Sequence, residues 1–540
     1  MAVPASLLHI ISVRLREDHS TETIDKEILM YQPDTWASRM KRNKHNFSGI
    51  RCSACGKMAA VSLPSPVCNS CGGRLDVMMD LERVKEVVTK ESMANSRNRG
   101  VWRYQQMLPV ISSEAIVSLG EGNTSLLRSN MLAEILGLRR LYIKDETSNP
   151  SGAFIDRGMT VDVSRAKALG FKAAACGWSG NLASSLAAYC ARGGLTSRAY
   201  LPGQIDLGKL YQTVAYGAEI VPCTSREEAL EQLRENQNEF YPVIASNPFF
   251  LEGIKTTGIE IVDQLGWRPP DWIVVPMGNG SHITMMHKGL RELEELGLVS
   301  SLGTRLVGVQ VEGCSPIADM IRPSKRRRAN IDCTFARDIA IESPAMADEA
   351  AEAIRRTRGD VAVVSEKEIL DAVKLLAKNE GVFAEPASAS TVAGLRKLVD
   401  LGTIVRSDTV VCTITGTGLK DPAMARRIAA KNHVAMRMIS KYEPGAVSRR
   451  IGDTKMVILD TLQEGESYAY ALRKRVVDRI GKNLSLVSVY QHLAQLQDLG
   501  LIAVQKRERS PERRIRVYYG LTEKGSEFVR AQISGGVPRR

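Results

Sequence analysis

From about residue 100 to 422 the chain repeats one pattern: a short run of small and β-branched residues, a glycine-containing turn, then a helical stretch. Residues 173–180 lead into 181–194, 197–203 into 209–217, 218–223 into 225–236, and 272–280 into 281–296, with a further strand at 304–313. Helical stretches between successive strands imply parallel strands joined by crossover helices, hence an α/β sheet covered on both faces. Such sheets bind ligands outside the carboxyl ends of their strands, so the loops there are where chemistry is expected.

At 540 residues, 44% apolar and 25% charged, the chain is long enough for two to four domains and too hydrophobic for wholesale disorder. No run approaches the roughly 18 apolar residues that span a bilayer. Residues 1–18 lack a basic opening and a small-residue cleavage site, so no leader is expected. Four of the ten cysteines form two CxxC pairs, Cys52/Cys55 and Cys68/Cys71; the other six are scattered among apolar residues. That is no disulfide framework and suits a reducing cytoplasm. Two CxxC turns make a closed tetrahedral site, and four thiolates with no open position describe a structural zinc ion rather than a catalytic one; the bland alternative is four free thiols or a redox pair.

Lys and Arg outnumber Asp and Glu by 73 to 60, a net charge of +13, which makes an anionic partner plausible once the charge is localised. After Asp421-Pro422 the sequence turns basic and helical, and Pro444-Gly445 marks a break. Beyond it residues 454–533 read as three helices, a strand, a basic turn, a second strand and a final helix. Leu7–Val13 reads as a strand of no assigned role, and Lys325–Arg328 as a solvated surface loop.

Seven ordered segments then carry a family pattern: Gly120–Leu126, Lys144–Gly158, Ser179–Asn181, Asn247–Thr256, Val275–Gly280, Glu385–Ala389 and Thr415–Pro422. Over roughly residues 50–425 the chain resembles threonine synthase, of the pyridoxal-phosphate (PLP) fold type II group, some members of which also carry a zinc ribbon. The resemblance implies two α/β subdomains. It implies that Gly278, Asn279, Gly280, Ser281 and His282 form a backbone nest for the cofactor phosphate. Asn181 matches the contact to the pyridoxal 3′-hydroxyl and Thr415 the partner of the pyridine nitrogen, while Ser151, Ser179 and Gly180 would grip a ligand carboxylate.

The departure is central. Where the family reads Ser-Phe-Lys-Asp-Arg, this chain reads Ala153-Phe154-Ile155-Asp156-Arg157, so a hydrocarbon replaces the amine that would carry the Schiff base. Loss of general-base catalysis alone typically costs about 10²–10⁴-fold in rate. Lys144 and Lys255 match lysines the family carries in addition and are not substitutes. Ser125, Ala153, Leu182 and Ser281-His282 also depart from the family, replacing a proline, a serine, a threonine and Gly-Asn.

The C-terminal segment resembles a PadR-type winged helix, through Ser467–Tyr470, Ser488-Val489-Tyr490 and Tyr518–Gly525. Its third helix would enter the major groove with Ser485, Ser488, Tyr490, Gln491 and Gln495, while Leu486, Val489, Leu493 and Leu496 follow core spacing. Tyr468 and Tyr470 are expected to pack. The wing, 506–516, holds Lys506, Arg507, Arg509, Arg513, Arg514 and Arg516 against Glu508 and Glu512, where a phosphate backbone would be gripped.

The expected order is an N-terminal extension (1–48), a zinc ribbon (49–80), the fold type II unit (81–423), a basic linker (424–450) and the winged helix-turn-helix domain (451–540). The expected function is a cytoplasmic, ligand-sensing DNA-binding regulator, homodimeric by analogy, holding PLP non-covalently or a phosphorylated amino-acid-like ligand. The alternatives are a PLP-dependent threonine synthase or related lyase with a regulatory winged helix, and a scaffold for an active paralogue.

Overall fold

A computed structural model describes residues 46–60, 67–109, 112–202, 205–323, 334–429, 453–481, 484–509 and 515–534. The Leu7–Val13 strand, the Lys325–Arg328 loop, Arg513 and Arg514, residues 430–450 of the basic linker and 451–452 of the winged-helix segment lie outside the described residues.

A small antiparallel sheet comes first: β1 (Phe47–Cys52) lies between β2 (Met58–Ala59) and β3 (Leu75–Met79), with Ile50 opposite Val77 and Cys52 opposite Leu75. Its inner face is apolar, and Phe47 meets the Phe249 ring edge-on at 6.1 Å, so the sheet is packed onto the Pro248–Ile254 helix.

The pattern read over 100–422 resolves into β4 (Ser125–Arg128), β5 (Arg140–Asp145), β6 (Ala173–Gly177), β7 (Thr196–Pro202), β8 (Glu219–Cys223), β9 (Tyr241–Val243), β10 (Trp272–Pro276), β11 (Arg305–Val311), β12 (Asp360–Val364) and β13 (Thr409–Ile414). They form two sheets. One has six strands ordered β12-β11-β10-β13-β5-β4, parallel except for the edge strand β4; the other is parallel throughout, ordered β8-β7-β6-β9. Successive residues of a strand point to opposite faces, and β10 shows it: Trp272 and Val274 join one apolar core, Ile273 and Val275 the other. Both faces are therefore buried, as a sheet clothed in crossover helices requires. A third apolar cluster, holding Ala174 and Cys176 of the smaller sheet with Phe250, Met285 and Met346, joins the two units.

The C-terminal segment packs helices Asp453–Gln463, Ala469–Ile480, Leu486–Asp498 and Glu523–Ser534 against a sheet of β14 (Ser467–Tyr468), β16 (Ile515–Leu521) and β15 (Ile502–Arg509), in that order. Val489, Leu493 and Leu496 are buried as their spacing predicts. Leu486 is not: it is the first residue of its helix, where the turn that would cover it is missing, and it is 37% exposed.

Candidate ligand site at the carboxyl ends of the strands

Three strand ends converge. From β10 the chain passes through Gly278-Asn279-Gly280 into the Ser281–Glu295 helix; from neighbouring β13 it passes through Thr415; from β6 it passes through Ser179-Gly180-Asn181 into the Gly180–Gly193 helix. The segment bearing residue 155 is stitched between them. Phe154 N–H donates to the Thr415 carbonyl at 2.8 Å, Thr417 N–H to the Gly152 carbonyl at 3.0 Å, and the Phe154 ring stacks on His282 at 4.2 Å.

Among the described residues, none accepts a hydrogen bond from the backbone N–H of Gly278, Asn279, Gly280, Ser281 or His282. Unpaired N–H groups at the start of a 15-residue helix form a nest for an anion. A side chain at Gly278 would strike the Asp338 carbonyl and one at Gly280 the Met346 carbonyl, at 2.1 and 2.4 Å, which is why only glycine fits. The Asn279 side chain is turned outward and accepts from Ala345 N–H at 2.7 Å. His282 is buried with neither ring nitrogen partnered, and burial pushes it down to about 4, so the ring is neutral at ordinary pH.

Thr415 is buried, its hydroxyl 2.8 Å from that of Ser388, which also accepts from Gly416 N–H. Asn181 is at the centre of a charged cluster. Its Oδ1 accepts from Lys420 Nζ at 2.9 Å, and its Nδ2 faces Asp338 Oδ2 at 3.3 Å and Glu385 Oε2 at 3.4 Å. Lys209 reaches the same Asp338 oxygen at 2.8 Å. Burial pushes Lys420 down to about 8 and Glu385 up to about 7. Burial also opposes the Lys209 ammonium, but Asp338, Glu385 and Asp206 outweigh it and hold the group above its ordinary value.

The Ser179 hydroxyl caps its helix by accepting from Leu182 N–H at 3.4 Å, and Gly180 leaves room for the Lys209 stem, 2.8 Å from where a side chain would begin. Ser151 is fully buried and engaged within the chain, its hydroxyl and N–H both donating to Asp156, at 2.7 and 2.6 Å. Ile155, 9% exposed, belongs to the apolar cluster between the two units. Lys144 is bound to Glu260 at 2.6 Å, in a buried network with Arg157 and Glu146, and Lys255 to Glu252 and Glu292 at 2.5 and 2.7 Å.

The four sulfurs of Cys52, Cys55, Cys68 and Cys71 lie within 4.8 Å of one another, as one metal ion requires. The backbone N–H groups of Ser70 and Cys71 pull the Cys68 thiol down to about 6, favouring the thiolate a metal takes. Gly73 gives the sulfurs room, its absent side chain lying 2.9 Å from Cys52 Sγ.

On the Leu486–Asp498 helix, Ser488, Gln491 and Gln495 share one face at i, i+3 and i+7; Gln491 and Gln495 are exposed, Ser488 half-buried. Tyr490 is 51% exposed but lies on another side of the helix. Ser485 is exposed and also caps the helix, its hydroxyl accepting from Ser488 N–H at 3.1 Å. Tyr468 packs, its ring 5.5 Å from that of Tyr518 and under the Arg516 guanidinium at 4.9 Å, whereas Tyr470 is 63% exposed.

Residues 117–416 match the pyridoxal-phosphate dependent enzyme family, and the chain belongs to it. More narrowly it is a member of the threonine synthase family: it is 43% identical to the threonine synthase of Methanocaldococcus jannaschii over 385 residues, 70% of this chain and 94% of that one. Against the threonine synthases of Methanosarcina acetivorans and Synechocystis the identity is 41% in each case, over 69% and 60% of this chain and 92% and 83% of theirs. Residues 458–531 match the transcriptional regulator PadR-like family. Five unpaired backbone N–H groups, a neutral histidine and a buried threonine hydroxyl fit the phosphate and pyridine of PLP.

Proposed function

We propose that the protein is a ligand-sensing DNA-binding transcriptional regulator, built on a fold type II unit that holds its ligand without transforming it. The observation that carries this is residue 155: an isoleucine in the apolar joint of a unit whose anion nest persists, in a chain that also has a PadR-like domain. When bound, PLP supplies an aldehyde and an electron-withdrawing ring. Gly278, Asn279, Gly280, Ser281 and His282 would hold the phosphate, Thr415 would take the pyridine nitrogen and Asn181 would meet the 3′-hydroxyl, while Ser179 and Gly180, with Ser151, shape the corner that decides whether a ligand carboxylate is accepted. Ile155 has no amine to offer, and the ion pairs of Lys144 and Lys255 keep both from substituting, so the ligand is held non-covalently. Zinc on Cys52, Cys55, Cys68 and Cys71 is structural, in a ribbon spanning 49–80. The winged helix, 451–540, meets DNA through Ser488, Tyr490, Gln491, Gln495, Arg513, Arg514 and Arg516, as a cytoplasmic homodimer. No helix among the described residues is long and apolar enough to cross a membrane.

Borohydride reduction of the purified protein with added PLP tests the reading. No lysine adduct is expected, and an adduct mapped to Lys420 or Lys209 would overturn it. The second reading is a threonine synthase, or related lyase, with a regulatory winged helix. It is favoured by Lys420, a buried amine beside Asn181 that burial makes easier to deprotonate. Formation of threonine from O-phosphohomoserine by this chain alone would establish it.

A further inference from the structure

The carboxylate of Asp338 connects the two halves of the site. The short Arg337–Ile339 turn rests its backbone on the nest, with the Asp338 carbonyl 2.1 Å from where a side chain at Gly278 would stand. Its side chain reaches across to Lys209 Nζ at 2.8 Å and Asn181 Nδ2 at 3.3 Å. Lys209 comes from the Leu207–Ala215 helix, and its stem lies over Gly180. An ammonium and an amide N–H converging beside a helix-opening glycine are the donors that a small ligand's carboxylate needs. Here both are engaged by a carboxylate of the chain itself. That carboxylate is 37% exposed, so solvent, and hence a small ligand, can reach it.

We propose that Asp338 is a specificity-determining residue: it occupies, as an internal surrogate, the place of a ligand's carboxylate, so that the site admits a phosphorylated ligand without a carboxylate and rejects phosphorylated amino acids. A tethered group acts at an effective concentration on the order of mM or more, so a free amino acid at lower concentration loses the competition for Lys209. It also meets a second negative charge at the same corner, and like-charge juxtaposition costs affinity whatever the salt bridge itself contributes. PLP, which carries phosphate and phenolic oxygen but no carboxylate, meets neither penalty at Lys209. The inference rests on the reading of the site as a binding pocket and names the ligand class that pocket takes.

The test compares O-phosphohomoserine with 3-aminopropyl phosphate, the same molecule without its carboxylate, by calorimetric titration of the full chain, with PLP as the reference ligand. The parent protein is expected to bind 3-aminopropyl phosphate at least tenfold tighter than O-phosphohomoserine. Asp338→Asn and Asp338→Ala are expected to erase or reverse that preference, each affinity being taken relative to the same variant's affinity for PLP, and adding Lys209→Met is expected to abolish the gain. A parent that binds O-phosphohomoserine as tightly as its decarboxylated analogue overturns the proposal. So do variants that retain PLP affinity but gain nothing for O-phosphohomoserine, and so does failure of every probe to bind. DNA binding is read separately: its absence alongside an Asp338-dependent preference would sink the regulator reading and leave this one standing.

Discussion

In the reading proposed above, position 155 is where one side chain separates holding from transforming. Ile155→Lys is expected to restore the absorbance of lysine-bound pyridoxal when PLP is added; a spectrum unchanged from that of free PLP would mean that the nest does not hold the cofactor. His282 gives a second residue-level expectation. Its pKa is lowered from 6.5 to about 4 by burial, so the unfolded chain takes up a proton below pH 6.5 that the folded chain refuses. Stability is therefore lost as pH falls from 6.5 toward 4, by at most about 3 kcal/mol from this group. His282→Asn should flatten that part of the profile, read as the difference between variant and parent thermal midpoints across the range. The nest and Thr415 could be named from the sequence because each sits in a short contiguous motif. Lys209 and Asp338 could not, since they meet Gly180 and Asn181, respectively, only through tertiary packing across 29 and 157 positions of chain. Lys420 lies inside the Thr415–Pro422 motif and was open to discovery by asking which buried charges that motif carries.

At the scale of elements, the alternation of β-branched runs and helices made the parallel sheets legible, because period and glycine turns are local properties. The division into six and four strands was not, since strand order depends on long-range pairing. Helix crossings were also hidden. The Asp156–Ala168 and Pro248–Ile254 helices meet so closely that a side chain at Gly253 would lie 1.9 Å from the Arg157 carbonyl. Gly253→Ala gains about 1 kcal/mol of helix propensity, but overpacking costs about 1–3 kcal/mol or more, and contact with backbone rather than a flexible side chain puts it at the upper end. A lowered thermal midpoint is expected; an unchanged one would mean the crossing opens freely. The cysteine sheet makes its own prediction. One zinc per chain is expected by metal analysis, and chelation should make Cys52, Cys55, Cys68 and Cys71 newly reactive to a thiol reagent while lowering the midpoint, because the apolar face carrying Phe47 is held by the same strands.

For the whole molecule, binding to its own upstream DNA should weaken about 10³-fold between about 50 and about 200 mM salt if the wing neutralises six phosphates. Replacing Arg513, Arg514 and Arg516 with glutamine should make that dependence shallower. A salt-independent shift would leave the domain as a protein-contact surface. Basic charge in the domain, the wing's Lys506 included, is partly engaged internally: Arg475 and Arg479 pair with Glu464, and Lys506 with Glu466 at 2.7 Å. Net charge read from sequence therefore overstates what is free to meet DNA, whereas the expected order of modules rested on local signals: cysteine spacing, the strand–helix pattern and short contiguous motifs.

The isoleucine between the two sheets also bears on how the joint holds together. Its branched side chain lies in the apolar cluster there, so a lysine in its place would insert a long cation among hydrocarbon neighbours and leave the protein without PLP softer. Melting Ile155→Lys with and without PLP should reveal that weakening and its relief, and its size measures how far the joint depends on a hydrocarbon at this position.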